Sequence, residues 1–251
     1  MNISLIGVFV AFFTVFLGFL LEGLSFSLLL QPTAMLIVFG GTLGAAMMQM
    51  KKEDIDHLKE LLKLMKQNHA KELDYLAQSL KTATKISQHK DFREFETYIS
   101  SLKNKTDLEK PLLMVVDRID PEIIKTTLES KISLKIHGYK RAVKAVESAA
   151  AYAPTIGILG SVVGLLQVMS TIKDPTAVAS GIAICFVATF YGLAFANLVL
   201  MPIANKMKVV VQDYQIRQQL ILETVCFMAA KKPYRATNEN INSYSDSKKA
   251  A

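Results

Sequence analysis

The sequence predicts an all-α integral membrane protein, with four transmembrane helices and a large helical cytoplasmic insert between helices 2 and 3. The main observation is the uneven distribution of charge. Residues 1–50 carry one charged side chain, Glu22, and residues 148–172 and 175–205 carry none, whereas residues 51–147 carry 20 Lys/Arg and 16 Asp/Glu. A single soluble core does not sort its charges into blocks, but a membrane protein with a water-exposed insert does.

Four apolar stretches are long enough to cross a bilayer, which takes about 20 residues in a helix. They are residues 3–21, 32–50, 151–172 and 177–205. No basic residue precedes the first stretch and no small-residue cleavage pattern follows it, so we expect a retained anchor and not a signal peptide.

The placement of basic residues predicts the orientation of these spans. Of the 29 Lys and Arg residues, 20 lie in the insert and 8 lie in residues 206–251. Because Lys and Arg favour the cytoplasmic side of a membrane, we expect both termini in the cytoplasm and two very short turns outside.

The insert is predicted to be a compact helical bundle, because its apolar residues recur at helical spacing. One start signal is clear: Asp120 followed by Pro121 suits a helix N-cap and first helical position. The apolar stripes are Ile55, Leu58, Leu61, Leu62 and Met65, then Leu73, Leu76 and Leu80, then Phe92, Phe95, Ile99 and Leu102, then Leu112, Val115, Val116 and Ile119.

Four segments follow from these patterns. Residues 1–50 hold helices 1 and 2, residues 51–147 the cytoplasmic insert, and residues 148–205 helices 3 and 4. Residues 206–251 are expected to form a cytoplasmic helix and, from residue 231 onwards, a polar, disordered tail.

Enzyme chemistry, metal binding and nucleic-acid binding are disfavoured. The chain has no phosphate-binding glycine loop, no nucleophile elbow, and no Cys or His pair at metal-ligand spacing, so we expect no catalytic residue, metal or cofactor. The net charge of +7 suits the anionic surface of a lipid bilayer, and no nucleic-acid-binding motif accompanies it.

Small residues recur along helices 3 and 4, where they allow close approach of helix backbones in lipid. Helices 3 and 4 packing together would account for some of this surface, and we expect part of it to contact another chain. The residues are Gly157, Gly160, Ser161 and Gly164 on helix 3, and Gly181, Cys185, Ala188, Thr189, Gly192 and Ala196 on helix 4.

A few polar side chains also lie in the apolar stretches, and together they could line a narrow polar path. They are Ser161, Thr171, Thr189, Tyr191 and Asn197. Each could instead bond to a carbonyl of its own helix. No span contains Asp or Glu. Ion sites in membranes normally depend on a carboxylate, so an ion-conducting chain of this kind must take that acid from a partner helix.

Pro154 and Pro202 lie near the cytoplasmic ends of helices 3 and 4. Each proline removes the hydrogen bond to the residue four positions before it. The result is either a simple kink or a hinge that transmits motion to the insert.

Taken together, these residues closely resemble the MotA/PomA family of flagellar motor stator subunits, within the wider MotA/TolQ/ExbB group. The most specific stretches are APTIGILGSVVGL at 153–165 and GIAICFVATFYGLAFANLVLMPIANK at 181–206, with QPTAMLIVFGGTLGAA at 31–46 and VVDRIDPEIIKTTLE at 115–129 matching less distinctively. The resemblance covers about residues 1–230.

The resemblance implies an ion-conducting stator subunit in a bacterial inner membrane. In that family a homo-oligomeric ring, a pentamer, surrounds a single-span MotB/PomB-type partner, which is anchored to peptidoglycan and carries the ion-binding aspartate. Ser161 and Thr189 would then line the ion path, and Pro154 and Pro202 would couple it to torque. Partner-helix packing would fall to Gly157, Gly160, Gly164, Cys185, Gly192 and Ala196.

Two further expectations concern the coupling ion and the rotor. Family members that use sodium tend to have Thr at the position of Ser161 and those that use protons Ala, so Ser161 fits neither, and we favour protons. The insert would push on a FliG-type rotor protein through Lys85, Lys90, Arg93 and Glu96, although Gln88 stands where the family pattern has Arg.

Two alternatives stay open at this point. A TolQ/ExbB-like energiser of outer-membrane processes shares only the last two spans and has three in all. A membrane scaffold without conductance would need no ion path.

Overall fold

The computed structural model describes residues 3–21, 23, 29–67, 69–88, 92–102 and 107–249, and within these residues all regular structure is helical. The all-α prediction is confirmed. The helices are α1 Ile3–Leu21, α2 Pro32–Met35, α3 Gly41–Met48, α4 Lys52–Leu64, α5 His69–Gln88, α6 Phe92–Ser101, α7 Glu109–Val116, α8 Pro121–Ser170, α9 Pro175–Ala194, α10 Met201–Ala229 and α11 Tyr234–Lys249, with π-helical turns at Leu36–Gly40 and Phe195–Leu200.

Two helical stretches are long and apolar enough to cross a membrane within the described residues: Pro121–Ser170 and Pro175–Ala229. They contain the fourth predicted span and all but the last two residues of the third. A third stretch, Pro32–Met48, qualifies only together with Lys52–Leu64, from which it is bent by 117°. The helix α1 contains a shorter apolar run at Phe9–Gly18. The count of four spans therefore stays a prediction.

The chain divides into two compact units, the first consisting of Met1–Leu58 and Arg141–Lys208. Many of its buried side chains are alanines. Ala34 and Val38 pack with Val187 and Ala188 of α9. A second cluster consists of Ala46, Ala149, Ala150, Ala153, Ala196 and Leu200. Small residues at these contacts let the helix backbones approach closely.

Polar caps fix where the two long helices begin. The carboxylate of Asp120 accepts a hydrogen bond of 2.9 Å from the backbone N–H of Glu122 at the start of α8, as the Asp-Pro signal predicts. Asp174 does the same for α9, where it accepts from the backbone N–H groups of Thr176 and Ala177.

The second unit consists of Lys59–Lys140 and Val209–Ala251. Its core includes the predicted stripes of α5, α6 and α7, for example Leu80, Phe95 and Leu112. The same core also takes Leu220 and Val225 from α10. The insert therefore does not close its own core, because residues after the fourth predicted span complete it.

The prediction of a disordered tail from residue 231 is wrong, because Tyr234–Lys249 forms the helix α11. Ile241 is fully buried in the core of the second unit. The hydroxyl of Tyr244 donates to Glu223 at 2.8 Å, and the side-chain amide of Asn240 donates to the same carboxylate at 2.9 Å. A largely polar helix becomes stable when one face meets a partner, which average composition does not reveal.

Candidate functional site

The hydroxyls of Ser161 on α8 and Thr189 on α9 lie 2.5 Å apart, although 28 residues separate them in the sequence. The Ser161 hydroxyl also lies 2.7 Å from the carbonyl oxygen of Cys185 and 3.1 Å from that of Gly157. The Thr189 hydroxyl lies 3.2 Å from the Cys185 carbonyl oxygen. Two hydroxyl and two carbonyl oxygens thus meet at the contact of two apolar helices.

The other three predicted path residues bond elsewhere. The Thr171 hydroxyl donates to the carbonyl of Gln167 at 2.8 Å, and the Asn197 amide donates to that of Leu193 at 3.1 Å. The Tyr191 hydroxyl donates to the carbonyl of Leu29. The structure therefore brings together two of the five predicted polar groups.

Glycines allow the two hydroxyls to meet, because they bring α8 and α9 into backbone contact. A Cβ atom added at Gly192 would lie 2.5 Å from the carbonyl oxygen of Ala153 and 3.1 Å from the Cα of Gly157. One added at Gly160 would lie 2.8 Å from the Cβ of Ala188. No side chain larger than hydrogen fits at these points without movement of the helices.

These contacts bear on the residues predicted to pack a partner helix. Five of the six, namely Gly157, Gly160, Gly164, Cys185 and Gly192, lie at the contact between α8 and α9 of one chain. The sixth, Ala196, is buried in the small-residue cluster of the first unit. Their recorded contacts are internal, and a role in packing a partner helix stays a prediction.

A broad apolar face on α8 is exposed in the single chain. Its members are Ile158, Leu159, Val162, Val163, Leu165, Leu166 and Met169. An exposed apolar face of this extent suits lipid or another protein chain.

The acidic group that comes closest in sequence to α9, Asp174, is occupied in capping that helix. Hydrogen bonds from the side chain and backbone of Thr176, and from the backbone of Ala177, hold the pKa of this carboxyl below its usual value. Across the part of the chain that the structure describes, no three His, Cys, Asp or Glu side chains come close enough to hold a metal ion.

The two prolines occupy different surroundings. Pro154 lies inside α8, and its Cα would be 3.2 Å from a Cβ added at Gly192. Pro202 is the second residue of α10, two residues after the end of the π-helical turn Phe195–Leu200. A wider turn at that point accommodates the missing N–H group and the bulk of the ring.

The predicted rotor-facing residues lie in the second unit. The ammonium of Lys85 lies 5.6 Å from the centre of the Tyr234 ring. Arg93 and Glu96 are both exposed on α6. Lys90 falls outside the described residues. The role of these residues at the rotor stays a prediction.

Sequence reasoning missed a cavity of about 1070 Å³ in the second unit, beside Gln88 and Phe95. Its wall includes three basic residues, Arg118, Lys231 and Lys232. These residues come from two turns far apart in sequence, and no local pattern joins them.

A second feature that the sequence did not predict is the hydrogen bond of the Cys185 thiol, which donates to the carbonyl of Ser161 at 3.1 Å. The small-residue stripe that contains Cys185 was the available signal.

Two family models match the chain. Residues 99–219 match the MotA/TolQ/ExbB proton channel family, and residues 5–90 match the N-terminal model of motility protein A. Motility protein A of Bacillus subtilis (strain 168) is 27% identical over 232 residues, which cover 92% of this chain and 86% of the relative. Motility protein A of Aquifex aeolicus is 27% identical over 246 residues, which cover 95% and 92%.

Solved structures show the same fold. The flagellar MotAB stator complex from Bacillus subtilis contains a chain with a TM-score of 0.80 and 25% identity, covering 94% of this chain and 93% of that one. A chain of C. jejuni MotAB has a TM-score of 0.85 and 22% identity, covering 97% and 96%.

Proposed function

The chain belongs to the MotA/PomA family of flagellar motor stator subunits, ion-channel proteins and not enzymes, and we propose that Ser161 and Thr189 line its ion path. The observation that carries this proposal is the 2.5 Å contact of the two hydroxyls, with two carbonyl oxygens beside them. Oxygen atoms grouped inside an apolar contact can replace part of the water around a cation.

We infer that the ion-binding acid comes from a MotB/PomB-type single-span partner. The four predicted spans contain no Asp or Glu, and the solved complexes to which the chain is similar are MotAB complexes. The exposed apolar face of α8 suits contact with such a helix or with further copies of this chain. We propose a homo-oligomeric ring, a pentamer, anchored to peptidoglycan through the partner.

The proposed location is the bacterial inner membrane, with four spans and both termini in the cytoplasm. The apolar stretches Pro121–Ser170 and Pro175–Ala229 support spanning, and the basic residues in 51–147 and 206–251 support this orientation. The motility protein A N-terminal match over residues 5–90 favours a stator over a TolQ/ExbB-like energiser.

The coupling ion we propose is the proton, because the family model that matches residues 99–219 describes a proton channel. Sodium is the competing candidate, because the hydroxyl oxygen of Ser161 could help to coordinate a hard cation. Each ion that enters with the membrane potential releases about 2.3 kcal/mol per 100 mV, which can bias one mechanical step.

Torque would pass from the ion path through Pro154 and Pro202 to the second unit. There Lys85, Lys90, Arg93 and Glu96 would act on a FliG-type rotor protein. The π-helical turn before Pro202 supports a role for that residue in bending the helix.

The test uses a motile bacterium that lacks its own stator subunits. It receives this chain together with the single-span, peptidoglycan-binding protein of the same genome. We expect swimming to return, and to persist when potassium replaces sodium in the medium. Swimming that stops without sodium would contradict the choice of ion, and failure to swim with both proteins in the membrane would contradict the function.

A further inference from the structure

We propose that Cys185 is a positioning residue of the ion path, whose thiol holds the backbone of Ser161 so that the Ser161 and Thr189 hydroxyls meet. This inference rests on the proposed function of that hydroxyl pair. Its basis is a reciprocal pair of hydrogen bonds between α8 and α9.

Residues 161 and 185 each donate to the other's carbonyl. The Ser161 hydroxyl donates to the Cys185 carbonyl at 2.7 Å, and the Cys185 thiol donates to the Ser161 carbonyl at 3.1 Å. Two antiparallel bonds between the same two residues fix both the height and the rotation of one helix against the other. Thr189 lies one turn after Cys185, and its hydroxyl bonds to the same Cys185 carbonyl at 3.2 Å.

The thiol has little freedom to leave this position. A Cβ added at Gly164 would lie 2.8 Å from the sulfur atom and 3.1 Å from the backbone nitrogen of Cys185. The same Cβ would lie 3.0 Å from the carbonyl oxygen of Gly181. The sulfur therefore lies directly over the backbone of α8, at a point where only glycine leaves room for it.

Substituting alanine or serine for Cys185 distinguishes the role of its hydrogen-bond donor from that of the space it fills. Alanine at 185 removes the donor and leaves a gap beside Gly164, whereas serine keeps a donor of similar length. A thiol is a weak donor, but hydrogen bonds between membrane helices meet little competition from water. We therefore expect a change in how tightly the path holds its ion, and not loss of the protein from the membrane.

The experiment measures swimming speed against external sodium concentration and against external pH, in the stator-less host that carries the full chain and its partner. In Cys185→Ala the half-saturating concentration of the coupling ion should rise about threefold, the size expected for one interhelical hydrogen bond. Cys185→Ser should restore the wild-type value. Cys226→Ala removes the other thiol, which lies in the second unit, and should leave the value unchanged.

A second variant moves the Cys185 sulfur atom without replacing the cysteine. Gly164→Ala places a Cβ against the Cys185 sulfur and should shift the ion dependence in the same direction. Gly44→Ala is the matched control, because a Cβ at Gly44 meets no atom within 4 Å.

The inference is overturned if Cys185→Ala, present at wild-type level in the membrane, keeps the wild-type half-saturating concentration. It is also overturned if serine at 185 behaves like alanine, since the donor would then be irrelevant. Failure of the wild-type pair to restore swimming would contradict the proposed function instead, so the two failures are distinguishable.

Discussion

Gly192 shows how a single residue sets the geometry of the contact between α8 and α9, where we propose the ion path. The hydroxyls of Ser161 and Thr189 can meet only because α8 and α9 touch through their backbones, and Gly192 lies against Ala153 and Gly157 at that contact. The meeting of the two hydroxyls thus depends on glycines, which have no Cβ, as well as on Ser161 and Thr189.

We predict that Gly192→Ala disrupts this contact, because its Cβ would lie 2.5 Å from the carbonyl oxygen of Ala153. Overpacking of this kind costs about 1–3 kcal/mol. The thermal unfolding midpoint of the purified protein in detergent should fall, whereas Gly44→Ala should leave it unchanged. Equal midpoints in the two variants would show that the helices separate without cost.

Asp54 is a buried acid in the first unit, and its surroundings favour the charged form. The backbone N–H of Lys51 donates to its carboxylate at 2.9 Å, and the Arg141 guanidinium donates to the other oxygen at 2.9 Å. The hydrogen bond from the Lys51 backbone has the largest effect and lowers the pKa of Asp54. Burial raises this pKa, but the charge and hydrogen bond of Arg141 lower it further, so that it lies below 3.8. His57 contributes a smaller effect of the same sign.

A carboxyl whose pKa is lower in the folded state stabilises that state at pH values above its unfolded pKa. We therefore predict that the contribution is complete above pH 3.8 and is lost as the pH falls through the lower, folded value. Unfolding midpoints measured across this acidic range should fall more steeply for wild type than for Asp54→Asn. Parallel curves would mean that Asp54 does not favour its charged form.

The junction between α9 and α10 combines a π-helical turn with a proline. The turn Phe195–Leu200 ends two residues before Pro202. The Phe39 ring, which lies in the other π-helical turn, contacts the Phe195 ring edge-on at a centroid distance of 4.8 Å. The deformation in one helix therefore lies against a deformation in its neighbour.

Pro202→Ala restores the missing N–H and removes the ring, so we predict that the turn relaxes towards ordinary α-helix and that swimming is abolished. The amount of protein in the membrane should not change. Pro175→Ala is the control, because Pro175 stands at the first position of α9, where an N–H is not needed. Normal swimming of the Pro202 variant would rule out a hinge at this residue.

The helix α11 contributes to the core of the second unit through Ile241, which is fully buried. Ile241→Ala should lower the free energy of unfolding by about 2–5 kcal/mol, the range for truncating a buried isoleucine. Ile216→Ala removes the same atoms from a side chain that is 39% exposed and should cost far less. Chemical denaturation followed by helical signal would compare them, and equal losses would show that α11 does not contribute to the core.

The sequence predicts helices well in this chain, because apolar periodicity and the Asp-Pro cap before α8 act locally. The small residues also predict a close helix contact, which the structure confirms between α8 and α9. The core of the second unit was not predictable in the same way, since α10 and α11 enter it from beyond residue 205. Likewise, the two reciprocal hydrogen bonds between Ser161 and Cys185 depend on the rotation of α8 against α9, which no sequence spacing specifies.

The chain is a membrane protein whose proposed ion path lacks its own acid. We propose that the oxygens of Ser161 and Thr189 line this path, but the four predicted spans carry no Asp or Glu to bind and release an ion. A broad apolar face of α8 is open to a partner. We therefore expect the complex with the partner to conduct ions and this chain alone not to conduct them.

Measuring ion flux into lipid vesicles would show whether the chain conducts without a partner. Vesicles containing the purified chain alone should show no flux of protons or sodium above that of empty vesicles, whereas vesicles containing the chain with its single-span partner should conduct. Substituting Asn for the partner's membrane aspartate should abolish that conduction. Appreciable flux through the chain alone would show that this chain does not need a partner's carboxylate to conduct.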